Sequence, residues 1–87
     1  MKTIYKYPLQ NVLEIPEDAK LLWIHEDPNG DMCLWAEVDT NKPVEKIYCA
    51  LIGTGWPIED TLNYNYKYFS SFLDGSYVWH VYLKKEE

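Results

Sequence analysis

The sequence predicts an all-β domain, or a β-rich α+β one, arranged as a small antiparallel sandwich or partly open barrel of about five to six strands. Three observations carry that reading: short apolar runs recur at close spacing, turn chemistry stands at each junction, and no amphipathic stretch exceeds about ten residues. With 87 residues the chain has room for a single domain, 1–87, and no linker or internal repeat divides it.

The elements follow in order. Lys2 to Tyr7 alternates Ile4 with Tyr5 and Tyr7 around lysines, and Pro8 closes the run because it has no amide donor. Asn11 to Ile15 is a shorter apolar stretch stopped by Pro16, and Glu17-Asp18-Ala19 reads as a turn or one helical turn. Lys20 to Glu26 and Asp31 to Val38 flank Asp27-Pro28-Asn29-Gly30, the clearest hairpin signal in the chain. After the turn cluster Asp39 to Pro43, Val44 to Ile52 has the β-branched content of a buried strand, and the spacing predicts that it pairs as a second hairpin.

The second half is less regular. Gly53-Thr54-Gly55-Trp56-Pro57 breaks the pattern, since glycine permits unusual backbone angles and Pro57 steers Trp56 away from the helical region. A short helix within residues 57–65 is the alternative to a loop there. Tyr64 to Phe72 changes phase near Ser70-Ser71, which predicts a bulge or bend, and Asp74-Gly75 marks a turn. Tyr77 to Leu83 closes the fold before a charged tail, with Trp79, Val81 and Leu83 on one face. Trp23, Trp35 and Trp79 are expected in the core and Trp56 outside it.

Composition bounds the function. The formal charge is −6, from 14 acidic residues against 8 cations, every one of them lysine. No basic stripe is available for a run of phosphates, so duplex nucleic acid is not an expected partner. The apolar runs fall far short of the roughly 20 residues a bilayer requires, and no signal-peptide core is seen, which predicts a cytoplasmic protein with no membrane partner. Cys33 and Cys49 lack metal or redox spacing and read as buried free thiols, with one disulfide as the minority reading.

No constellation for nucleophilic, phosphoryl or zinc chemistry is present, so no catalytic residue, metal or cofactor is expected. His25 and His80 sit in apolar runs and read as structural. Candidate ligand-binding residues are Gly53, Thr54, Gly55, Trp56 and Pro57, whose amides and hydroxyl can meet an anion while the indole offers a flat face. The competing reading is a tight turn whose Trp caps the core. Lys6, Lys46 and Lys67 lie in or beside strands and can converge on an anion, and Tyr66 belongs to a period-two tyrosine series that either stacks on a partner or covers a sheet.

The opening Met1-Lys2-Thr3-Ile4-Tyr5-Lys6-Tyr7-Pro8-Leu9, the central Cys33-Leu34-Trp35-Ala36-Glu37-Val38-Asp39, the Gly53-Thr54-Gly55-Trp56-Pro57-Ile58 loop and the closing Val78-Trp79-His80-Val81 together resemble a family of small bacteriophage proteins of unknown function. The match spans nearly the whole chain. The family's loop commonly carries His where this chain has Trp56, so a ligand touching that position would differ. The resemblance brings no activity and no catalytic residue. It implies a setting, the cytoplasm of an infected bacterial host, in which small proteins of this kind act by binding. Two functions follow as expectations: a homo-oligomeric counter-defence sponge that sequesters a small nucleotide immune signal without cleaving it, or an acidic inhibitor that docks on a host nuclease or other nucleic-acid-binding protein.

Overall fold

The computed structural model describes residues 1–59, 62 and 65–86. Among these residues it is a β-sandwich of seven strands: β1 (Lys2–Pro8), β2 (Val12–Pro16), β3 (Lys20–Glu26), β4 (Met32–Asp39), β5 (Val44–Gly53), β6 (Lys67–Asp74) and β7 (Tyr77–Lys85). The smaller sheet has the order β1-β4-β3 and the larger β2-β5-β7-β6, all pairs antiparallel. Across the sandwich, β3 meets β6 and β2 meets β4. Among the described residues no helix is long and apolar enough to cross a membrane.

Alternation decides which face of each strand is buried. On β4, Leu34, Ala36 and Val38 point inward, and on the opposing sheet Leu13, Ile15, Ile47, Cys49, Val81 and Leu83 complete the core. Asp27 organises the β3–β4 turn. One of its carboxylate oxygens accepts the amides of Asn29 and Asp31, each at 2.9 Å, while the other accepts the Lys6 ammonium at 2.7 Å. At Asp74-Gly75 the predicted turn is present, and Gly75 has φ 60, the positive angle that a two-residue hairpin loop asks of its first residue.

Two bulges reset the side-chain phase. In β6 the register slips between Tyr68 and Ser70, so that Phe69 and Phe72, three apart and otherwise on opposite faces, both pack against the core. This is the bulge the sequence predicts. In β3 the slip lies between Leu21 and Trp23, and it does the same for Leu21 and Ile24.

Three expectations are corrected, and a fourth falls partly outside the described residues. Trp23 is not core: next to buried Ile24, it faces outward, is 51% exposed and stacks on His25 with ring centroids 4.2 Å apart. Trp35, between fully buried Leu34 and Ala36, is likewise on the outer side and only half-buried, its indole N–H donating to the His25 carbonyl at 3.0 Å. Strands β4 and β5 do not form a hairpin, because β1 and β3 occupy both edges of β4. The chain instead crosses at Pro43, whose carbonyl accepts the Glu17 amide at 2.8 Å, and β5 enters the other sheet beside β2. The helix expected within 57–65 falls partly outside the described residues. Among those described there is one helical-turn bond, from the Leu62 amide to the Ile58 carbonyl at 2.9 Å, and no helix.

Candidate functional site

The Gly53 to Pro57 loop folds back on the sandwich. Its turn is closed by the Trp56 amide donating to the Gly53 carbonyl at 3.0 Å, with Gly55 at φ 90. A side chain at Gly55 would be strained in that left-handed conformation. The Thr54 amide and hydroxyl both donate to the Val78 carbonyl, each at 3.3 Å. Two amides and the hydroxyl proposed for an anion are therefore engaged within the fold, which weakens the loop as a phosphate cradle. The Trp56 indole lies flat over Gly53, where a Cβ would approach its ring to 2.8 Å, and meets Trp79 edge-on at 5.2 Å.

Thr54 also ends a chain of polar side chains on the outer face of the larger sheet. Tyr68 Oη is 2.8 Å from Ser71 Oγ, Ser71 Oγ is 2.7 Å from His80 Nδ1, and His80 Nε2 is 2.8 Å from Thr54 Oγ1. The pairing of Ser71 with His80 across β6 and β7 places two of these groups face to face. A histidine that activates a serine as nucleophile is normally oriented by a carboxylate, which also stabilises the imidazolium that forms. Here a hydroxyl occupies that position, so the arrangement holds the sheet face in register and supplies no charge for acyl transfer.

The lysines do not converge as a set. Lys6 lies in the smaller sheet, held by Asp27, and that bond together with the backbone donors of Asp31 and Asn29 keeps the Asp27 carboxyl below its ordinary range. Lys46 sits on β5 opposite Glu14. Lys67 is different: with Lys85 it lies on the Leu83 side of the larger sheet, along a groove of about 550 Å³ at the open end of the sandwich that Lys84, from the other side of β7, and Glu86 also line. The floor is apolar, from Leu21, Ile47, Phe69 and Leu83, and Tyr68 forms part of the wall.

Local contacts hold Lys84 and Lys85 in place. The Lys84 ammonium lies 5.5 Å from the Tyr66 ring centre and 5.9 Å from that of Tyr48, so two rings orient it. Lys85 makes a loose pair with Glu45 at 3.7 Å, while Lys67 and Lys84 have no ion pair among the described residues. Lysines 84 and 85 escape the sequence reading because they look like a solvated tail. The overlooked signal is that the alternation of β7 simply continues, putting Lys84 on the face of Tyr82 and Lys85 on that of Leu83.

Of the predicted ligand residues, Lys67 and Tyr66 thus belong to the open end, the Gly53 to Pro57 loop to the opposite end of β7, and Lys6 and Lys46 to neither place. The arrangement at the open end can hold an anion beside a flat apolar group. No curated protein and no solved structure matches the chain. A family described as "Domain of unknown function (DUF7352)" matches residues 1–87, and the chain belongs to that family.

Proposed function

We propose that the protein is a non-enzymatic binding protein that holds a small nucleotide in the groove lined by Lys67, Lys84 and Lys85. The observation that supports this reading most is that three of the chain's eight lysines line one groove with an apolar floor in an otherwise acidic molecule, Lys67 and Lys85 from the Leu83 side of the sheet and Lys84 from the other side of β7. Phosphates would pair with the ammonium groups, and a base or ribose would lie against Phe69 and Tyr68. Without arginine, recognition relies on point charges and ring contact rather than on bidentate forks. In the bacteriophage setting that the sequence motifs suggest, retention of an intact immune signal is counter-defence by sequestration.

A second reading, an inhibitor docking on a basic host protein, is favoured by the formal charge of −6. One experiment separates the two. Purified protein is incubated with cyclic and ADP-ribose-type nucleotides and filtered, and the flow-through and heat-released fractions are examined by mass spectrometry. The sponge reading predicts that one class is retained, released intact, and lost from a Lys67→Ala/Lys84→Ala double variant. An untouched panel would remove that reading in favour of the inhibitor, and a cleaved product would make the protein an enzyme.

A further inference from the structure

The other end of β7 carries a surface of opposite character. Trp79 lines two adjoining grooves, one of about 470 Å³ with Leu51, Phe72, Asp31 and Asp74, the other of about 330 Å³ with Trp56 and Tyr77. It stands six residues from Lys85, about 20 Å along an extended strand. Trp56 meets it at an interplanar angle of 90° and Tyr77 at 31°, with centroids 5.2 and 6.3 Å away. Both flanking rings are open to solvent, Trp56 at 51% and Tyr77 at 69% exposure. Rings set at such unequal angles present ridges and crevices rather than a flat plate.

We propose that this aromatic surface is a docking site for a proline-rich peptide segment that carries basic residues. A polyproline II segment is extended before it binds, loses little conformational entropy, and packs its pyrrolidine rings into crevices between aromatic side chains. Charge selects the flank. Asp31 and Asp74 line the larger groove, neither forms an ion pair among the described residues, and no lysine lines either groove. The same acids argue against a second copy of this chain as the occupant, since two molecules of formal charge −6 would bring carboxylates together where only cations are complementary.

Fluorescence anisotropy of the full chain with a labelled decaproline bearing two arginines tests the proposal. The expected result is saturable binding that weakens with salt, that falls roughly tenfold in Tyr77→Ala, and that loses most of its salt dependence in Asp31→Asn/Asp74→Asn. Tyr77 and Asp74 are both exposed, so these variants are expected to fold. Lys67→Ala/Lys84→Ala should bind the peptide like the parent, which keeps this outcome separate from nucleotide retention. Equal binding of an arginine-tagged Gly-Ser peptide would overturn the proposal by reducing it to charge alone. Absence of binding would overturn it as well, as would a dimer in sedimentation that Tyr77→Ala dissociates, since the aromatic surface would then belong to self-association.

Discussion

Ser71 and His80 share a hydrogen bond of 2.7 Å across β6 and β7, in the middle of a chain that runs from the Tyr68 phenol to Thr54. With the Thr54 hydroxyl hydrogen on the Val78 carbonyl at 3.3 Å, Thr54 accepts from His80 Nε2–H at 2.8 Å. Nδ1 is then the lone-pair nitrogen that accepts from Ser71, and Ser71 in turn accepts from the Tyr68 phenol. This direction of the chain corresponds to the Nε2–H tautomer. Nitrogen-detected NMR of the neutral imidazole should show a pyrrole-type Nε2 and a pyridine-type Nδ1. The reverse pattern would contradict the chain's direction.

The same chain predicts an inert serine. With a hydroxyl rather than a carboxylate behind His80, Ser71 should not be labelled by a fluorophosphonate probe. Ser71→Ala removes the bonds to both Tyr68 and His80 and should cost about 1–3 kcal/mol, at about 0.5–1.5 kcal/mol net for each, measured by urea denaturation. Labelling of Ser71 would require the site to be reread as catalytic.

Acid should act through Asp27. Lys6 and the backbone donors lower this carboxyl's pKa in the folded protein, so the stability it confers is present above the unfolded-state value near 4 and is lost as pH falls through the lower folded value. Its partner Lys6 is raised, and that contribution is lost only as pH rises through a value above 10.5. In Asp27→Asn, Tm at pH 7 should drop while the acid limb of the Tm profile becomes shallower. The carboxyls of Asp18 and Asp39 are lowered too, but both lie in more open pairs that salt screens. An unchanged acid limb in Asp27→Asn at high salt would contradict the assignment.

Gly53 leaves space for an indole. A methyl group there meets the Trp56 ring at 2.8 Å, and because that ring is half exposed it is expected to move aside rather than distort β5. Gly53→Ala should therefore cost only about 1 kcal/mol, at the low end for overpacking, and should shift tryptophan emission to the red. A cost of several kcal/mol would mean that the ring is locked in place.

The two thiols should report global unfolding. Burial pushes Cys49 up to about 11 and raises Cys33 as well, so neither presents a thiolate at neutral pH. Reaction with a disulfide reagent at pH 8 should follow the unfolding rate, and Cys49→Ala should destabilise the domain by about 1–2 kcal/mol. Fast native-state labelling of either thiol would contradict the packing. They stand in different sheets, on β4 and β5, and both are free.

Much of the fold is legible because it rests on local signals. Asp27-Pro28-Asn29-Gly30 and Asp74-Gly75 mark their turns, and the change of phase between Tyr68 and Phe72 marks its bulge. What is not legible is set by distant partners. Nothing near Asp39 to Pro43 announces that β1 has already taken the edge of β4. The bulge at Leu22 reverses which of Trp23 and Ile24 is buried, and its signal is only the three-residue spacing of Leu21 and Ile24. The site follows the same rule. The Gly53 to Pro57 loop is conspicuous in the sequence, yet the placing of Lys67 beside Leu83 and the pairing of Ser71 with His80 depend on register across β6 and β7.

An amide and lysine-ammonium NMR titration with ADP-ribose asks whether Lys67, Lys84 and Lys85 hold a nucleotide. A nucleotide bound there should give shifts concentrated at Lys67, Tyr68, Phe69, Lys84 and Lys85, suppressed by salt, with the Gly53 to Pro57 amides unmoved. Shifts centred on Gly53 to Pro57, or none at millimolar ligand across ADP-ribose and the cyclic nucleotides, would contradict it.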